Sequence, residues 1–164
     1  MKTLLFAFTL LVGSLSVATA QDFFKGLEAY KAGDYQAALQ EWLPLAEQGD
    51  ADAQYNLGHM YFNGNGVPQD YAESAKWNRL AAEQGLAMAQ FSLGWLFDKG
   101  KGVPQDYAEA VKWYRLAAEQ GNVSAQNNLG LNYLMGDGVL QSIVLAHMWA
   151  NIASANGASE AGEW

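Results

Sequence analysis

The sequence predicts an all-α fold, specifically a right-handed α-solenoid of helix-turn-helix repeats. Residues 66–73, Gly-Val-Pro-Gln-Asp-Tyr-Ala-Glu, recur without change at 102–109. Residues 79–85, Arg-Leu-Ala-Ala-Glu-Gln-Gly, recur at 115–121, again one step of 36 residues along the chain. A period of this length, in segments of helix-forming composition, is typical of stacked helical hairpins.

The first helix of each hairpin, helix A, has an apolar stripe. Leu57 and Tyr61 lie four residues apart and therefore share one face of a helix. Gly58 lies beside them, and a glycine inside a helix costs roughly 1 kcal/mol relative to alanine, so it needs a structural reason. We expect the second helix, helix B, to pass close to Gly58, with its small residues Ala72 and Ala75 facing the glycine.

Aspartates and glycines mark the ends of the helices. Asp70 precedes the second helix B and Glu73 follows three residues later, which is a capping-box pattern that Asp106 and Glu109 repeat. A glycine closes each helix B as a left-handed C′ residue, at positions 49, 85, 121 and 157. The predicted helices A span 22–32, 51–63, 87–99 and 123–135, and the predicted helices B span 34–48, 70–84, 106–120 and 141–156.

The repeat divides residues 21–164 into four units and a remnant. We expect the first unit to be shorter than the others by five residues between its two helices, because Tyr30 to Tyr35 takes the place of Tyr61 to Tyr71. The sequence after the fourth unit starts like another helix A and stops partway. The predicted units are about 22–49, 50–85, 86–121 and 122–157, followed by a partial fifth unit at 158–164.

Residues 1–20 predict a signal peptide. Lys2 supplies a positive start, residues 4–12 form an apolar stretch too short to span a bilayer, and Ala-Thr-Ala at 18–20 suits signal peptidase. We expect cleavage after Ala20 and a mature chain that is periplasmic or secreted. The alternative is that this segment forms a buried N-terminal helix.

Composition argues against several classes of partner and chemistry. The 164 residues carry a formal net charge of −8, whereas nucleic acids and anionic membranes are bound by basic surfaces. The chain has no cysteine, which excludes disulfides, thiolate catalysis and a lipid-modified cysteine. No apolar run after the leader approaches membrane-spanning length, so we expect no membrane insertion of the mature chain.

Three motifs carry a family resemblance. They are Ala-Gln-x-x-Leu-Gly from position 53, Gly-x-Gly-Val-Pro-Gln-Asp-Tyr from 64 and Trp-x-Arg-Leu-Ala-Ala-Glu-Gln-Gly from 77. Together they resemble the Sel-one-like repeat (SLR), a longer-looped relative of the tetratricopeptide repeat (TPR). The resemblance implies an adaptor that assembles other proteins, often in the bacterial envelope or in secretion. A cysteine-rich secreted branch is linked to β-lactam binding or hydrolysis, and the absence of cysteine separates this chain from that branch.

No arrangement of residues predicts catalysis, a metal site or a cofactor. His59 and His147 are the two histidines and lie on different units, whereas a zinc site needs three or four ligands at defined spacing. We expect His59 in a groove and His147 packed. The glycines after helix A follow a helix rather than a strand, which does not suit a phosphate-binding loop. We therefore predict a non-enzymatic protein, and the alternative is an envelope enzyme or small-ligand binder related to β-lactams or peptidoglycan.

A protein or peptide partner in the cell envelope is predicted to bind the inner wall of the solenoid, which helices A line in TPR geometry. The packing positions of helix A repeat along the chain, whereas the inner-wall positions beside them vary, as expected of residues that touch something outside the fold. The varying positions are rich in aromatic residues and methionine, which mark a protein site when they are exposed together. The alternative is that helices B cover these side chains as ordinary core. The predicted binding residues are Phe24, Tyr55, His59, Phe62, Met88, Phe91, Trp95 and Leu131.

Overall fold

A computed structural model describes residues 22–157, and these fold as eight α-helices with no strand among them. The all-α solenoid of helical hairpins is confirmed, and the helix ends lie within two residues of the predicted ones. The predicted leader and the partial fifth unit lie outside the described residues. The helices are α1 (22–31), α2 (Tyr35–Glu47), α3 (Ala51–Asn63), α4 (Tyr71–Glu83), α5 (Ala87–Lys99), α6 (Tyr107–Glu119), α7 (Val123–Met135) and α8 (Ile143–Ala155).

The helices pair as hairpins, and the hairpins stack. Within units, α3 packs on α4, α5 on α6 and α7 on α8, while α2 packs on α3, α4 on α5 and α6 on α7 between units. Leu57, Leu93 and Leu129 occupy the same position of α3, α5 and α7 and are fully buried. Full burial of such a side chain contributes about 1.5–3 kcal/mol. The leucine stripe is therefore the core that joins each hairpin to its neighbours.

Most helices begin at a side-chain cap. The Asp70 carboxylate accepts the backbone N–H groups of Ala72 at 2.8 Å and Glu73 at 3.1 Å, and the cap of α6 repeats this arrangement. The predicted capping box is only half formed, because the Asp70 N–H donates to the Tyr61 carbonyl oxygen at 2.9 Å. Glu73 instead forms an ion pair with Lys76 at 3.2 Å, within the first turns of α4.

A chain of carboxamides ties each unit to the next. Gln90 of α5 is buried and donates from Nε2 to the Ala82 carbonyl of the preceding helix B at 3.1 Å. Its Oε1 accepts a hydrogen bond from Nε2 of Gln120, just after α6, at 2.7 Å. At the last junction Gln126 donates to the Ala118 carbonyl oxygen at 3.0 Å, and within the fourth unit Asn156 replaces Gln120 and donates to Oε1 of Gln126 at 3.1 Å. These bonds explain why the Ala-Gln pair of helix A and the Glu-Gln-Gly end of helix B recur together.

The loop between helices A and B depends on two glycines. Gly100 ends α5 with φ of 60°, and Gly102 has φ of 70°, both in the left-handed region that favours glycine. A Cβ on Gly102 would overlap the backbone of Tyr71 at the start of the preceding helix B. The Gly-x-Gly of the loop therefore serves packing between units.

Candidate functional site

A pocket of about 300 Å³ opens between α3 and α5, the helices A of the second and third units. One residue of α4, Asn78, closes it from the side of helix B. The structure brings six of the eight residues predicted to bind a partner into this one lining. The pocket is termed the aromatic pocket, and its lining residues are Tyr55, His59, Phe62, Asn63, Asn78, Met88, Phe91, Ser92 and Trp95.

Leu131 lies at a second site, one repeat further along. It lines a hollow of about 260 Å³ between α5 and α7, to which Trp95 also contributes. Charged and amide groups make up most of the remaining wall. This site is termed the polar hollow, and its other lining residues are Asp98, Lys99, Asn128, Asn132, Met135 and Asp137.

Phe24 lines neither site, and its placement corrects the predicted register of α1. A Cβ on Gly26 would overlap the ring of Trp42, just as a Cβ on Gly58 would meet Asn78. Trp42 and Asn78 are 36 residues apart, so Gly26 is the equivalent of Gly58. The residue three positions before Gly58 is Tyr55, and its equivalent three positions before Gly26 is Phe23. Phe24, which was predicted at this inner-wall position, is therefore one residue out of register. Its side chain is 61% exposed.

The apolar lining of the aromatic pocket remains accessible. Met88 is 48% exposed, and the tyrosine, the tryptophan and the two phenylalanines of the lining are partly buried. Each of these four aromatic side chains packs part of its surface on the buried core. The leucine stripe is completely buried, whereas these rings keep part of their surface open beside the pocket.

Ring contacts hold the two walls of the pocket together. Phe62 of α3 packs edge-to-face on Trp95 of α5, with ring centroids 5.3 Å apart. The same ring packs edge-to-face on Tyr71 of α4, again with centroids 5.3 Å apart. Aromatic pairs of this kind contribute about 0.5–1.5 kcal/mol beyond area burial. The pocket is therefore a preformed feature of the stacked units.

A polar network reaches the pocket from the first unit. The Asn65 side-chain amide donates to the Tyr30 hydroxyl oxygen at 2.8 Å, and that hydroxyl lies 3.1 Å from Nδ1 of His59. Because the Tyr30 oxygen accepts from Asn65, its own proton is available to Nδ1. The Asn63 side-chain amide lies 3.1 Å from Nε2 of the same ring, so both ring nitrogens of His59 have a polar neighbour.

The lining of the aromatic pocket is electrically neutral. It contains no aspartate, glutamate, lysine or arginine. Burial lowers the pKa of His59, which favours the uncharged imidazole near pH 7. Burial also raises the pKa of the Tyr55 hydroxyl, an effect that the Ser92 hydroxyl partly offsets. The pocket is therefore suited to uncharged groups with apolar surface.

Asn78 has the most unusual environment in the pocket, and the sequence analysis did not identify it. Its side chain is 2% exposed, and its Nδ2 donates to the Ser74 carbonyl oxygen at 2.9 Å. No group within residues 22–157 donates to its Oδ1. A buried acceptor without a donor costs about 1–3 kcal/mol. The available signal was the middle position of Trp-x-Arg, which is asparagine at 78 but tyrosine at 114.

The position of Asn78 also corrects the expected surroundings of Gly58. A Cβ on Gly58 would lie 2.5 Å from Nδ2 of Asn78 and 3.3 Å from its backbone nitrogen. Helix B does pass close to Gly58, which is why a larger residue would not fit there. The expectation that Ala72 faces the glycine is wrong, because Ala72 is exposed.

The second histidine takes no part in either site. His147, which was expected to be packed, is exposed on α8. Between residues 22 and 157 there is no group of three histidine, aspartate or glutamate side chains that could hold a metal ion. In the same part of the chain no helix combines the length and apolar character needed to cross a membrane.

The stacked hairpins, with an open site between their first helices, define a helical-repeat protein. The model of the Sel1 repeat matches residues 51–86, 87–122 and 123–157, more than half of the chain, and the chain belongs to this family. Proteins of the family are generally scaffolds for protein–protein interaction, and the match indicates no catalytic family.

Solved structures with the same fold support this assignment. A protective antigen present in uropathogenic Escherichia coli strains, which displays an SLR fold, is 41% identical with a TM-score of 0.83, covering 92% of this chain and 33% of that one. A Sel1 repeat protein from Oxalobacter formigenes is 36% identical with a TM-score of 0.81, covering 85% and 57%. Cysteine-rich protein B of Helicobacter pylori, 21% identical with a TM-score of 0.62 over 78% and 92%, is similar in fold alone.

Parts of two longer curated proteins are also similar. DAP3-binding cell death enhancer 1 of Rattus norvegicus is 42% identical over 60 residues, which are 37% of this chain and 12% of that protein. An exopolysaccharide production negative regulator of Rhizobium leguminosarum bv. viciae is 39% identical over 56 residues, 34% of this chain and 21% of the relative. The matches thus cover less than a quarter of either relative.

Proposed function

We propose that this protein is an exported adaptor that binds a protein or peptide partner through the aromatic pocket and the adjoining surface of helices A. The observation that carries the proposal is the group of partly exposed aromatic rings on two neighbouring helices A. Aromatic residues and methionine are enriched where proteins bind one another. The general role of Sel1 repeats in protein–protein interaction supports the same function.

The chemistry of the pocket limits what the partner presents to it. The lining is neutral and largely aromatic, so an uncharged side chain with a large apolar surface suits it best. The formal net charge of −8 opposes a nucleic-acid partner, because phosphate backbones bind basic surfaces. The alternative of an envelope enzyme gains no support, since no catalytic family is indicated.

Capture of a partner from an envelope extract tests the proposal. Trp95→Ala removes the ring shared by both sites, and truncation of an aromatic anchor typically costs about 2 kcal/mol or more. We expect the captured protein to bind the variant at least about tenfold more weakly, with unchanged helicity by circular dichroism. Glu83→Ala is the matched control, because Glu83 is exposed on helix B away from both sites. Equal affinity for wild type and Trp95→Ala would exclude the pocket as the binding site.

Export is tested separately, on protein purified from its own host. The pattern at residues 1–20 leads us to expect a periplasmic or secreted product whose intact mass corresponds to a chain beginning at Gln21. Cell fractionation with a cytoplasmic marker supplies the control for lysis. A mass that includes Met1, or recovery with the cytoplasmic marker, would contradict the proposed export.

A further inference from the structure

The fourth unit, residues 122–157, is almost free of charged side chains. It contains one aspartate, Asp137, and no glutamate, lysine or arginine. The second unit, 50–85, carries seven charged side chains and the third unit, 86–121, carries eight. Helix α8 has none, whereas α4 and α6 have four each. Charged residues are depleted at the core of interfaces between proteins, so α8 has the composition of an interface.

Large apolar side chains are exposed on the same unit. Leu140 is 92% exposed, Ile143 61%, Val144 79% and Met148 41%. Leu140 precedes α8, and the other three lie in the first two turns of the helix. Val144 and Met148 are four residues apart and therefore share one side of α8. These four residues are termed the α8 patch, and exposed apolar side chains grouped in this way mark a contact surface.

The α8 patch is not the surface on which a further repeat stacks. Leu140, Val144 and Met148 have equivalents in the third unit that are exposed although the fourth unit packs on the third. These equivalents are Pro104, Ala108 and Lys112. A further hairpin, including one begun by residues 158–164, would leave the three positions of the fourth unit open in the same way. The occupant of the patch is therefore not the next repeat.

The distribution of charge favours a second copy of the chain as that occupant. The formal net charge is −8, so two copies repel each other wherever their charged surfaces meet. This repulsion is smallest where the two fourth units meet, because each contributes only Asp137. A patch without charges needs no opposite charge on its partner and is complementary to itself. Interfaces between identical subunits are also the more apolar class of interface.

We infer that the α8 patch is the contact surface of a homodimer, in which α8 packs against α8 of a second copy about a two-fold axis close to Val144. Two-fold dimers are the commonest closed assemblies of identical chains, and the same patch then contributes from both sides. Val144 lies near the centre of the patch, so it faces Val144 of the other copy. The inference is independent of the proposed function and goes beyond it, because the dimer presents two aromatic pockets to one partner.

Sedimentation equilibrium of the protein purified from its own host tests the inference. We expect a concentration-dependent equilibrium between monomer and dimer. Val144→Ala combined with Met148→Lys gives α8 the residues that α6 has at the equivalent positions, so the variant should fold. Its dimer dissociation constant should rise by about tenfold or more, because apolar burial is lost from both copies. Leu80→Lys is the matched control, since Leu80 is 40% exposed on α4, and should leave the constant unchanged.

Three results of this experiment would overturn the inference. A wild-type protein that stays monomeric at all concentrations rejects the dimer. If the double substitution then lowers the melting temperature of that monomer, another part of the same chain, such as residues 158–164, covers the patch. A dimer with the same dissociation constant in the double variant rejects the α8 patch as its contact. A mass that grows beyond two copies rejects the closed two-fold contact.

A single introduced cysteine tests the position of the axis, because the chain has no cysteine of its own. Val144→Cys should form a disulfide between two copies on mild oxidation. A residue beside the axis lies near its own counterpart, and a disulfide needs Cβ atoms about 3.5–4.5 Å apart. Ala108→Cys, at the equivalent exposed position of α6, should remain monomeric in a non-reducing gel. Equal cross-linking of the two variants, or none in Val144→Cys, contradicts the inference even if the double variant does not fold.

Discussion

The aromatic pocket and the polar hollow lie one repeat apart on the same frame but differ in chemistry. Their volumes are about 300 and 260 Å³, and Trp95 belongs to both. The pocket has no charged side chain, whereas Asp98, Lys99 and Asp137 line the hollow. The buried leucines and the carboxamide chain are the same at both places. The comparison shows that the repeated positions set where a site can form, and the variable positions set what it can bind.

The largest loss of stability is expected from truncation of Leu93, in the buried core that underlies both sites. This side chain is fully buried in α5, the helix that contributes to both linings. Leu93→Ala should lower the free energy of unfolding by about 2–5 kcal/mol, measured by urea denaturation, because the truncation leaves a cavity in the core. Leu116→Ala is the matched control, since Leu116 is 39% exposed on α6. A transition midpoint equal to that of wild type would show that Leu93 is not part of the core.

A smaller loss is expected from the junction between units. Gln90→Leu removes the carboxamide that binds the Ala82 carbonyl and accepts from Gln120. The free energy of unfolding should fall by about 1–3 kcal/mol, because two hydrogen bonds are lost, each with a net contribution of about 0.5–1.5 kcal/mol. Gln40→Leu, at an exposed position of α2, controls for the change of residue type. If both variants are equally stable, the carboxamide chain does not hold the units together.

Acid should affect the aromatic pocket through His59. Burial lowers the pKa of His59 in the folded state below its unfolded value of 6.5, so the unfolded chain binds the proton more readily. The contribution of neutral His59 to stability is therefore present above about pH 6.5 and is lost as the pH falls through the folded-state pKa. On acidification from pH 7.5 to 5, the melting temperature of wild type should fall relative to that of His59→Gln, which lacks the titrating group. His147→Gln controls for the loss of one histidine, and a rise of wild type relative to His59→Gln in acid would contradict the predicted sign.

The smallest effects are expected on the exposed surfaces of α4 and α6, where the two units are alike. Lys76 pairs with Glu73 at 3.2 Å and Lys112 pairs with Glu109 at 3.3 Å. Lys76→Ala and Lys112→Ala should each change stability by no more than about 0.5 kcal/mol, because solvent screens exposed pairs. The two values should also agree with each other in thermal melts. A large difference between the two stability changes would mean that Lys76 and Lys112 do not have equivalent surroundings in the two units.

The repeated helices and their ends were predictable from the sequence, because the residues that begin and end a helix act on their immediate neighbours. Asp70 caps its helix through its immediate neighbours, and Gly100 ends its helix through its own backbone, so neither depends on distant residues. Tyr55, Phe91 and Trp95 were found because each lies at a fixed spacing from the leucine stripe. These features require only the helical period.

The parts of the site that were not predicted depend on contacts across helices. Asn78 belongs to helix B, and its importance comes from a space that becomes evident only when its volume is compared with that of Tyr114. Asn63 and Ser92 line the pocket but are polar, whereas the predicted set favoured apolar side chains. Phe24 was misplaced by one residue because the first unit is shorter by four residues and not by the expected five. The contact between Gly26 and Trp42 that sets this register is tertiary.

The carboxamide chain makes the units interchangeable. Gln90 donates to the Ala82 carbonyl oxygen at 3.1 Å and Gln126 donates to the Ala118 carbonyl oxygen at 3.0 Å, so each junction offers the same donor and acceptor to the next. A whole segment such as 86–121 can therefore be duplicated or deleted with equivalent bonds formed at the new junction. Such a change alters the separation between neighbouring sites by one unit at a time. The spacing of two contact points on a partner can thus be matched in increments of one hairpin, by recombination rather than by point substitution.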